Sequence, residues 1–132
     1  MSPMDPAPRR APSFDAESEA YNLFRRGVVL LRARHPAQAA MLLGQALRLE
    51  PGRNSIREAL GRAEYALGRY ESAAGPFAAV AADAPDNDYA RYALGRCLLR
   101  LGRREEGQGQ LRLARALSPQ SDIYRAAVDE LD

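Results

Sequence analysis

Lysine, threonine and tryptophan are absent from this chain of 132 residues, and cysteine and histidine occur once each. With Cys97 as its only thiol, the chain cannot form an internal disulfide, and a lone cysteine is typical of a reducing compartment. One cysteine and one histidine, His35, cannot supply a clustered zinc site, so we expect no metal and no cofactor. No second histidine is present to activate Cys97, and we expect no enzymatic activity.

Long hydrophobic runs are also missing. Among the longest are Gly27–Leu31 and Phe77–Ala82, each far shorter than a membrane span. The pair Arg9-Arg10 is similar to a twin-arginine signal, but no hydrophobic segment follows it before Asp15. These observations predict a cytoplasmic protein with no membrane segment. The proline-rich residues 1–14 are expected to be a disordered tail.

Neither sign of charge dominates the chain. The chain has nineteen basic residues, all of them arginine, and 17 acidic ones, so the net charge is +2. This excess is too small for a surface that wraps a polyanion. An arginine-only basic set, with much alanine, glycine and proline, is typical of a GC-rich bacterial genome, and arginine grips carboxylates in a two-pronged way that lysine cannot. The C-terminal end is acidic through Asp122, Asp129, Glu130 and Asp132.

A period of 34 residues is the strongest feature that is present. Shifting the sequence by 34 aligns Pro51 with Pro85 and Pro119; it also aligns Gly27, Gly61 and Gly95, and Leu43, Phe77 and Leu111. A fixed period of this length, with a small residue, apolar residues and a closing proline, indicates a two-helix solenoid repeat. Such repeats form extended concave surfaces, which favours a binding module over an enzyme.

Each unit of the period divides into two helices. In the middle unit an apolar stripe at helical spacing ends at Gly68, which supplies a left-handed helix stop. A second helix follows from about Tyr70 to Ala84, and Pro85 ends it. Pro76 lies inside this second helix, where it removes a backbone hydrogen bond, so we expect a kink. Ser121 begins a seventh helix whose outer face is acidic, as a closing helix requires.

The middle unit carries the residues of a known repeat. The run Ala59-Leu60-Gly61, with Ala66-Leu67-Gly68-Arg69-Tyr70-Glu71-Ser72-Ala73, Phe77 and Pro85, resembles the tetratricopeptide repeat, and the unit around Gly95 resembles it too. The resemblance implies an all-α, right-handed superhelical solenoid of three helix-turn-helix repeats with a C-terminal capping helix. The repeats would span residues 20–53, 54–87 and 88–121, and the cap 121–131, in one domain over 15–132. Gly107 departs from the pattern, because alanine is usual there.

The resemblance also implies where a partner would bind, since in that family the first helix of each repeat lines the concave groove. The predicted partner-binding residues there are Tyr21, Phe24, Val28, Arg32, Arg62, Tyr65, Tyr89, Tyr92, Arg96 and Arg100. Arginine with tyrosine suits an extended acidic or aromatic peptide, because aromatic rings supply contact area and guanidinium groups pair with carboxylates. We therefore expect a non-catalytic adaptor for another protein. A competing interpretation is that the aromatic residues pack against the next repeat and the arginines are only solvated.

Three further alternatives differ in the partner. A chaperone-tail-binding subset of the family clamps a terminal carboxylate with lysine, asparagine and arginine, but the matching sites are Phe24, Val28, Ala59, Tyr89 and Ala93. None carries the required side chain, so that co-chaperone function is excluded. Single-stranded nucleic acid could bind the basic third repeat, although the net charge and the acidic C-terminus disfavour it. Self-association is the third alternative: the acidic last helix of one copy would dock in the basic groove of another, building a homo-oligomer.

Overall fold

Seven α-helices follow one another in residues 12–131, the part of the chain that this structure, a computed structural model, describes. They are α1 (Pro12–Arg32), α2 (Pro36–Leu49), α3 (Asn54–Ala66), α4 (Tyr70–Asp83), α5 (Asp88–Arg100), α6 (Arg104–Leu117) and α7 (Asp122–Asp129). No strand occurs within these residues. The prediction of an all-α solenoid built from three helix pairs and a closing helix is confirmed.

The N-terminal tail expected over residues 1–14 falls mainly outside the described residues. Its last three residues belong to α1, which begins at Pro12. Proline suits the first position of a helix, because the N–H that it lacks would have no partner there. The first helix is therefore longer than the 34-residue period alone indicates.

The two helices of each pair approach closely at a glycine. A Cβ atom built on Gly61 would lie 2.7 Å from the ring of Phe77, and one built on Gly27 would lie 2.6 Å from Leu43. Both distances are below ordinary van der Waals contact, so only glycine allows the large α4 or α2 side chain to reach the backbone of its partner helix. Phe77 and Leu43 are almost completely buried as a result.

The third pair approaches through glycine on both helices. A Cβ on Gly107 would lie 2.9 Å from Leu99 and 3.0 Å from the carbonyl oxygen of Gly95. A Cβ on Gly95 would in turn lie 3.0 Å from the carbonyl oxygen of Gly107. The glycine at position 107, where alanine was expected, therefore permits direct contact between the α5 and α6 backbones.

The turns inside the three pairs share one hydrogen-bond pattern. The N–H of His35 donates to the carbonyl of Leu30, and the N–H of Arg69 donates to the carbonyl of Glu64, five residues earlier in each case. This bond is the Schellman helix end, which needs a residue in the left-handed region. Gly68 and Gly102 occupy it with φ of 76° and 80°, but in the first pair it falls on Arg34, with φ of 66°.

The core lies mainly between successive repeats. One cluster joins α4 to α5 through Phe77, Leu94, Cys97 and Leu98, and similar clusters join the α1–α2 pair to α3. The closing helix α7 packs on α6 and buries Tyr124 and Val128. Helix α4 continues through Pro76 without interruption. Within the described residues, no helix has the length and apolar character needed to cross a membrane.

Candidate functional site

All ten residues predicted to bind a partner lie on the first helices of the pairs. Tyr21, Phe24, Val28 and Arg32 are on α1; Arg62 and Tyr65 are on α3; and Tyr89, Tyr92, Arg96 and Arg100 are on α5. We call the surface formed by α1, α3, α5 and α7 the first-helix face. The structure distributes the ten residues unevenly along it.

Five of the ten surround one small pocket between α3 and α5. Its walls are Arg62, Tyr65, Tyr89, Tyr92 and Arg96, and its volume is about 110 Å³. Phe77 and Ala93 complete the lining and are buried. We call this site the tyrosine pocket. Among the described residues, no carboxylate side chain lines it.

Arg96 is stacked on two of the pocket tyrosines. Its guanidinium carbon lies 5.3 Å from the ring centroid of Tyr65 and 5.6 Å from that of Tyr92. Its Nη1 donates a hydrogen bond of 2.9 Å to the hydroxyl oxygen of Tyr92. These contacts hold the charge beside the pocket, because a cation is attracted to the face of an aromatic ring. The side chain of Arg96 is nevertheless exposed, so its remaining N–H groups can meet a ligand.

Tyr65 carries an unusual hydroxyl. The ring is half-buried and packs edge-on against Tyr70, with centroids 5.1 Å apart. Its hydroxyl oxygen is fully buried and has no hydrogen-bond partner, and it is alone in this among the side-chain polar atoms of the described residues. A buried hydroxyl without a partner costs about 1–3 kcal/mol, so such a group calls for an explanation.

Two further contacts hold the pocket wall on the α5 side. Tyr89 packs edge-on against Phe77, with ring centroids 6.0 Å apart. Burial raises the pKa of Tyr89 above its ordinary value, because the charged phenolate is disfavoured where water is excluded. The ring of Tyr92 lies 6.4 Å from that of Tyr89 and 5.1 Å from that of Tyr124 in α7, measured between centroids. A continuous aromatic row therefore runs from Phe77 of α4 through Tyr89 and Tyr92 of α5 to Tyr124 of α7, and Arg96 links it to Tyr65 of α3.

Positive charge dominates this part of the first-helix face. In the part of the chain that the structure describes, Arg62, Arg96 and Arg100 form no ion pair with a carboxylate. The nearby acid, Glu58, accepts a hydrogen bond of 2.9 Å from Asn87, the residue that caps α5. Glu58 is thereby engaged in joining two repeats.

A larger groove adjoins the tyrosine pocket at the C-terminal end. It has a volume of about 700 Å³ and runs between α5, with Tyr92, Arg96 and Leu99, and α7, with Ile123 and Glu130. A groove of this size can accommodate several residues of an extended peptide.

The remaining predicted residues lie apart from this cluster. Phe24 and Val28 are half-buried and pack against the core between the first two repeats, as the competing interpretation of the groove aromatics describes. Tyr21 is 59% exposed and lies under Arg25, whose guanidinium carbon is 5.8 Å from the ring centroid. Arg32 is exposed at the end of α1. The guanidinium carbon of Arg100 lies 5.4 Å from the ring centroid of Tyr70, which packs against Tyr65.

Sequence reasoning missed three residues that lie on this surface or contact its side chains. Ile123 lies 34 residues after Tyr89, so continuing the period into the last helix would have placed it on the first-helix face. Tyr124 follows it in the chain, and the 34-residue period does not place it on this face. Tyr70 opens α4, a second helix, and the period gives no signal that its ring reaches Tyr65 and Arg100.

Catalytic chemistry finds little support in this arrangement. Burial raises the pKa of the Cys97 thiol to about 11, so the thiolate that a nucleophile requires is scarce at neutral pH. His35 is exposed in the turn between α1 and α2, far along the chain from the pocket residues. Within residues 12–131, no three histidine, cysteine or acidic side chains group as a metal site would need.

Two family models match the chain, and both are described as tetratricopeptide repeat. They match residues 24–88 and 70–131, and together they cover residues 24–131, well over half of the chain. No curated protein matches the sequence.

Solved structures of similar shape include three that cover most of the chain. The Arabidopsis OM64 TPR domain has a TM-score of 0.83 at 17% identity, over 88% of this chain and 96% of that one. The first TPR of Spaghetti (RPAP3), bound to the HSP90 peptide SRMEEVD, has a TM-score of 0.81 at 14% identity, over 86% and 90%. PcrH, in complex with the chaperone binding region of PopB, has a TM-score of 0.74 at 20% identity, over 87% and 93%. At these identities the likeness is one of fold.

Proposed function

Because the chain belongs to the tetratricopeptide repeat family, we propose that it is a non-catalytic adaptor whose first-helix face binds an extended, acidic or aromatic segment of another protein. The observation that carries the proposal is the stack of Arg96 on Tyr65 and Tyr92 beside an open groove. Aromatic rings offer contact area at small entropic cost, and arginines held on those rings are oriented for carboxylates before the partner arrives.

Two fold relatives support this class of partner. The Spaghetti domain was solved with a peptide and PcrH with a segment of another protein. The site proposed here differs from a terminal-carboxylate clamp, because the clamp positions carry Phe24, Val28, Ala59, Tyr89 and Ala93. We therefore propose recognition of side chains within a segment. We place the adaptor in the cytoplasm, since a lone buried cysteine suits a reducing compartment.

A displayed library of random peptides tests the proposal directly. We expect the selected peptides to be enriched in aspartate, glutamate and aromatic residues. Reversing the charge of Arg96 and Arg100 together should reduce their binding by at least about tenfold, since charged hydrogen bonds contribute about 1.5–3 kcal/mol each. Circular dichroism should show unchanged helicity, because both side chains are exposed.

A matched control uses Arg48→Glu with Arg112→Glu, two exposed arginines on the second helices α2 and α6. This variant has the same net charge as the test variant and should keep peptide binding. Equal loss in both variants would show that only overall charge matters. Retained binding in the Arg96 and Arg100 variant would move the site to another face and contradict the proposal.

A further inference from the structure

The outer side of α1 is a surface that the later repeats bury. Its side chains Asn22, Arg25 and Val29 are exposed. One and two periods later the equivalent residues are buried: they are Ile56, Ala59 and Ala63 on α3, and Ala90, Ala93 and Cys97 on α5. These buried residues share apolar clusters with the repeat before them. The geometry of a repeat junction is therefore present on α1, but within residues 12–131 no earlier repeat covers it.

This uncovered surface is positively charged and partly apolar. It comprises Asn22, Arg25, Arg26 and Val29, and we call it the basic end face. An open groove of about 670 Å³ runs along it, and Val29 is 62% exposed there. Arg25 and Arg26 stand one period before Ala59 and Leu60, so two positions that are apolar at the next junction are charged here. Because a buried charge needs a partner, this face fits a helix that brings carboxylates better than an apolar helix.

The closing helix α7 exposes carboxylates at the other end of the solenoid. Asp129 and Glu130 are exposed there, one helical turn after the small and exposed residue Ala126. We call these three residues the acidic end face. Asp129 lies one period after Gly95, the glycine at which the second helix of its pair approaches. A carboxylate at that position leaves no room for a second helix packed in the same way, so the acidic end face stays open.

We propose that the acidic end face of one copy docks on the basic end face of a second copy. Asp129 and Glu130 pair with Arg25 and Arg26, and the alanine of α7 lets the two helices approach over Val29. The two faces are different surfaces of the chain, so the contact is head-to-tail and can repeat along a row of copies. It involves no residue of the tyrosine pocket, and it does not rest on the proposed function. Since exposed ion pairs contribute little individually, the association is weak and depends on concentration and salt.

Sedimentation velocity of the whole chain tests this association. We expect the average sedimentation coefficient to rise with protein concentration at low salt and to stay at the monomer value at high salt, because salt screens exposed charges. Two charge-reversed variants test the faces: Arg25→Glu with Arg26→Glu, and Asp129→Arg with Glu130→Arg. Each variant alone should associate at least about tenfold more weakly, because like charges then meet at the contact. Circular dichroism should show unchanged helicity, since all four side chains are exposed.

A mixture of the two variants is the decisive measurement. In an equimolar mixture every contact can join an acidic face to a basic one, so association should return. The matched control is Arg96→Glu with Arg100→Glu, which reverses two exposed arginines on α5 and gives the same net charge as the Arg25 and Arg26 variant. This control should associate as the unmodified chain does.

Three outcomes would overturn the head-to-tail contact. The unmodified chain could remain monomeric at millimolar concentration and low salt, or the mixture could stay as dissociated as its folded components. Loss of association in the Arg96 and Arg100 control would show that the groove between α3 and α5, or overall charge, is responsible instead. A peptide library that yields no binding peptide would contradict the proposed function and leave the head-to-tail contact in place.

Discussion

At the scale of single residues, Arg34 has a backbone conformation that favours glycine. It occupies the left-handed position of its turn with φ of 66°, and the equivalent positions in the other two pairs are Gly68 and Gly102. A residue with a side chain costs about 1–2 kcal/mol in this region, whereas glycine has no such penalty.

Replacing Arg34 with glycine should therefore stabilise the protein. We expect a net gain of about 0.5–1 kcal/mol, because the relief of backbone strain exceeds the extra freedom of glycine in the unfolded chain. Urea denaturation of the two proteins measures the difference. The reciprocal variant Gly68→Ala should lose stability by a similar amount. A destabilised Arg34→Gly would show that the arginine side chain makes a contact worth more than the strain.

The two glycines of α6 provide a matched pair with opposite expectations. A Cβ on Gly107 would meet Leu99 and the backbone of α5, whereas one on Gly109 would have nothing within 4 Å. Gly107→Ala should destabilise the protein by about 1–3 kcal/mol through overpacking. Gly109→Ala should stabilise it by about 0.5–1 kcal/mol, because alanine is the better helix former. Thermal denaturation of both variants checks this, and the same sign for both would contradict the packing of α5 on α6.

At the scale of helices, the bounds follow from signals that are local in sequence. Gly68 and Gly102 end the first helices of their pairs, and the prolines spaced by 34 residues follow the second helices, so these ends could be predicted. The early start of α1 at Pro12 could not, because it lies before the first full period. The aromatic row from Phe77 to Tyr124 was also beyond prediction, since side-chain orientation between neighbouring repeats depends on how the helices pack.

A hydrogen bond to the carboxylate of Asp88 connects α5 to the residue that follows α6. Asp88 opens α5 and accepts a hydrogen bond of 2.6 Å from the Ser118 hydroxyl, just after α6. This hydrogen bond lowers the pKa of Asp88 below the ordinary 3.8, despite partial burial that acts in the opposite direction; Tyr124 of α7 also contributes. The ionised carboxylate therefore connects the beginning of α5 to the end of α6.

The hydrogen bond between Asp88 and Ser118 makes part of the stability depend on pH. Because the folded pKa of Asp88 lies below the unfolded value of 3.8, its contribution is present above that pH and is lost as the pH falls through the folded value. Asp88→Asn should lower the melting temperature at neutral pH, and the gap to the unmodified protein should narrow as the pH drops below about 4. Melting curves across this range test it, with the exposed Asp86→Asn as control. A gap that stays constant would exclude a role for the charge.

At the scale of the whole molecule, the distribution of charge matters more than its sum. The net charge is only +2, yet Arg62, Arg96 and Arg100 lie on α3 and α5 beside the aromatic row, while Asp129 and Glu130 lie exposed at the end of α7. The same arrangement would attract an acidic peptide, a single-stranded nucleic acid or the acidic end of a second copy. The chemistry of the partner decides how each kind of binding responds to salt.

A salt titration distinguishes the adaptor from a nucleic-acid-binding protein. Binding through phosphates releases counterions, so the logarithm of the affinity for a single strand falls linearly with the logarithm of salt, with a slope of about −0.7 for each contact. An acidic peptide held by a few arginines and several aromatic rings should lose less affinity and depend strongly on peptide sequence. We expect labelled RNA and single-stranded DNA to bind weakly and to be released at moderate salt, because exposed acids at the end of α7 adjoin the basic repeat. Sedimentation at the same salt concentrations reports any self-association. Single-strand binding that persists at physiological salt and is independent of sequence would contradict the adaptor proposal. It would favour a nucleic-acid-binding function in which bases stack on the aromatic row.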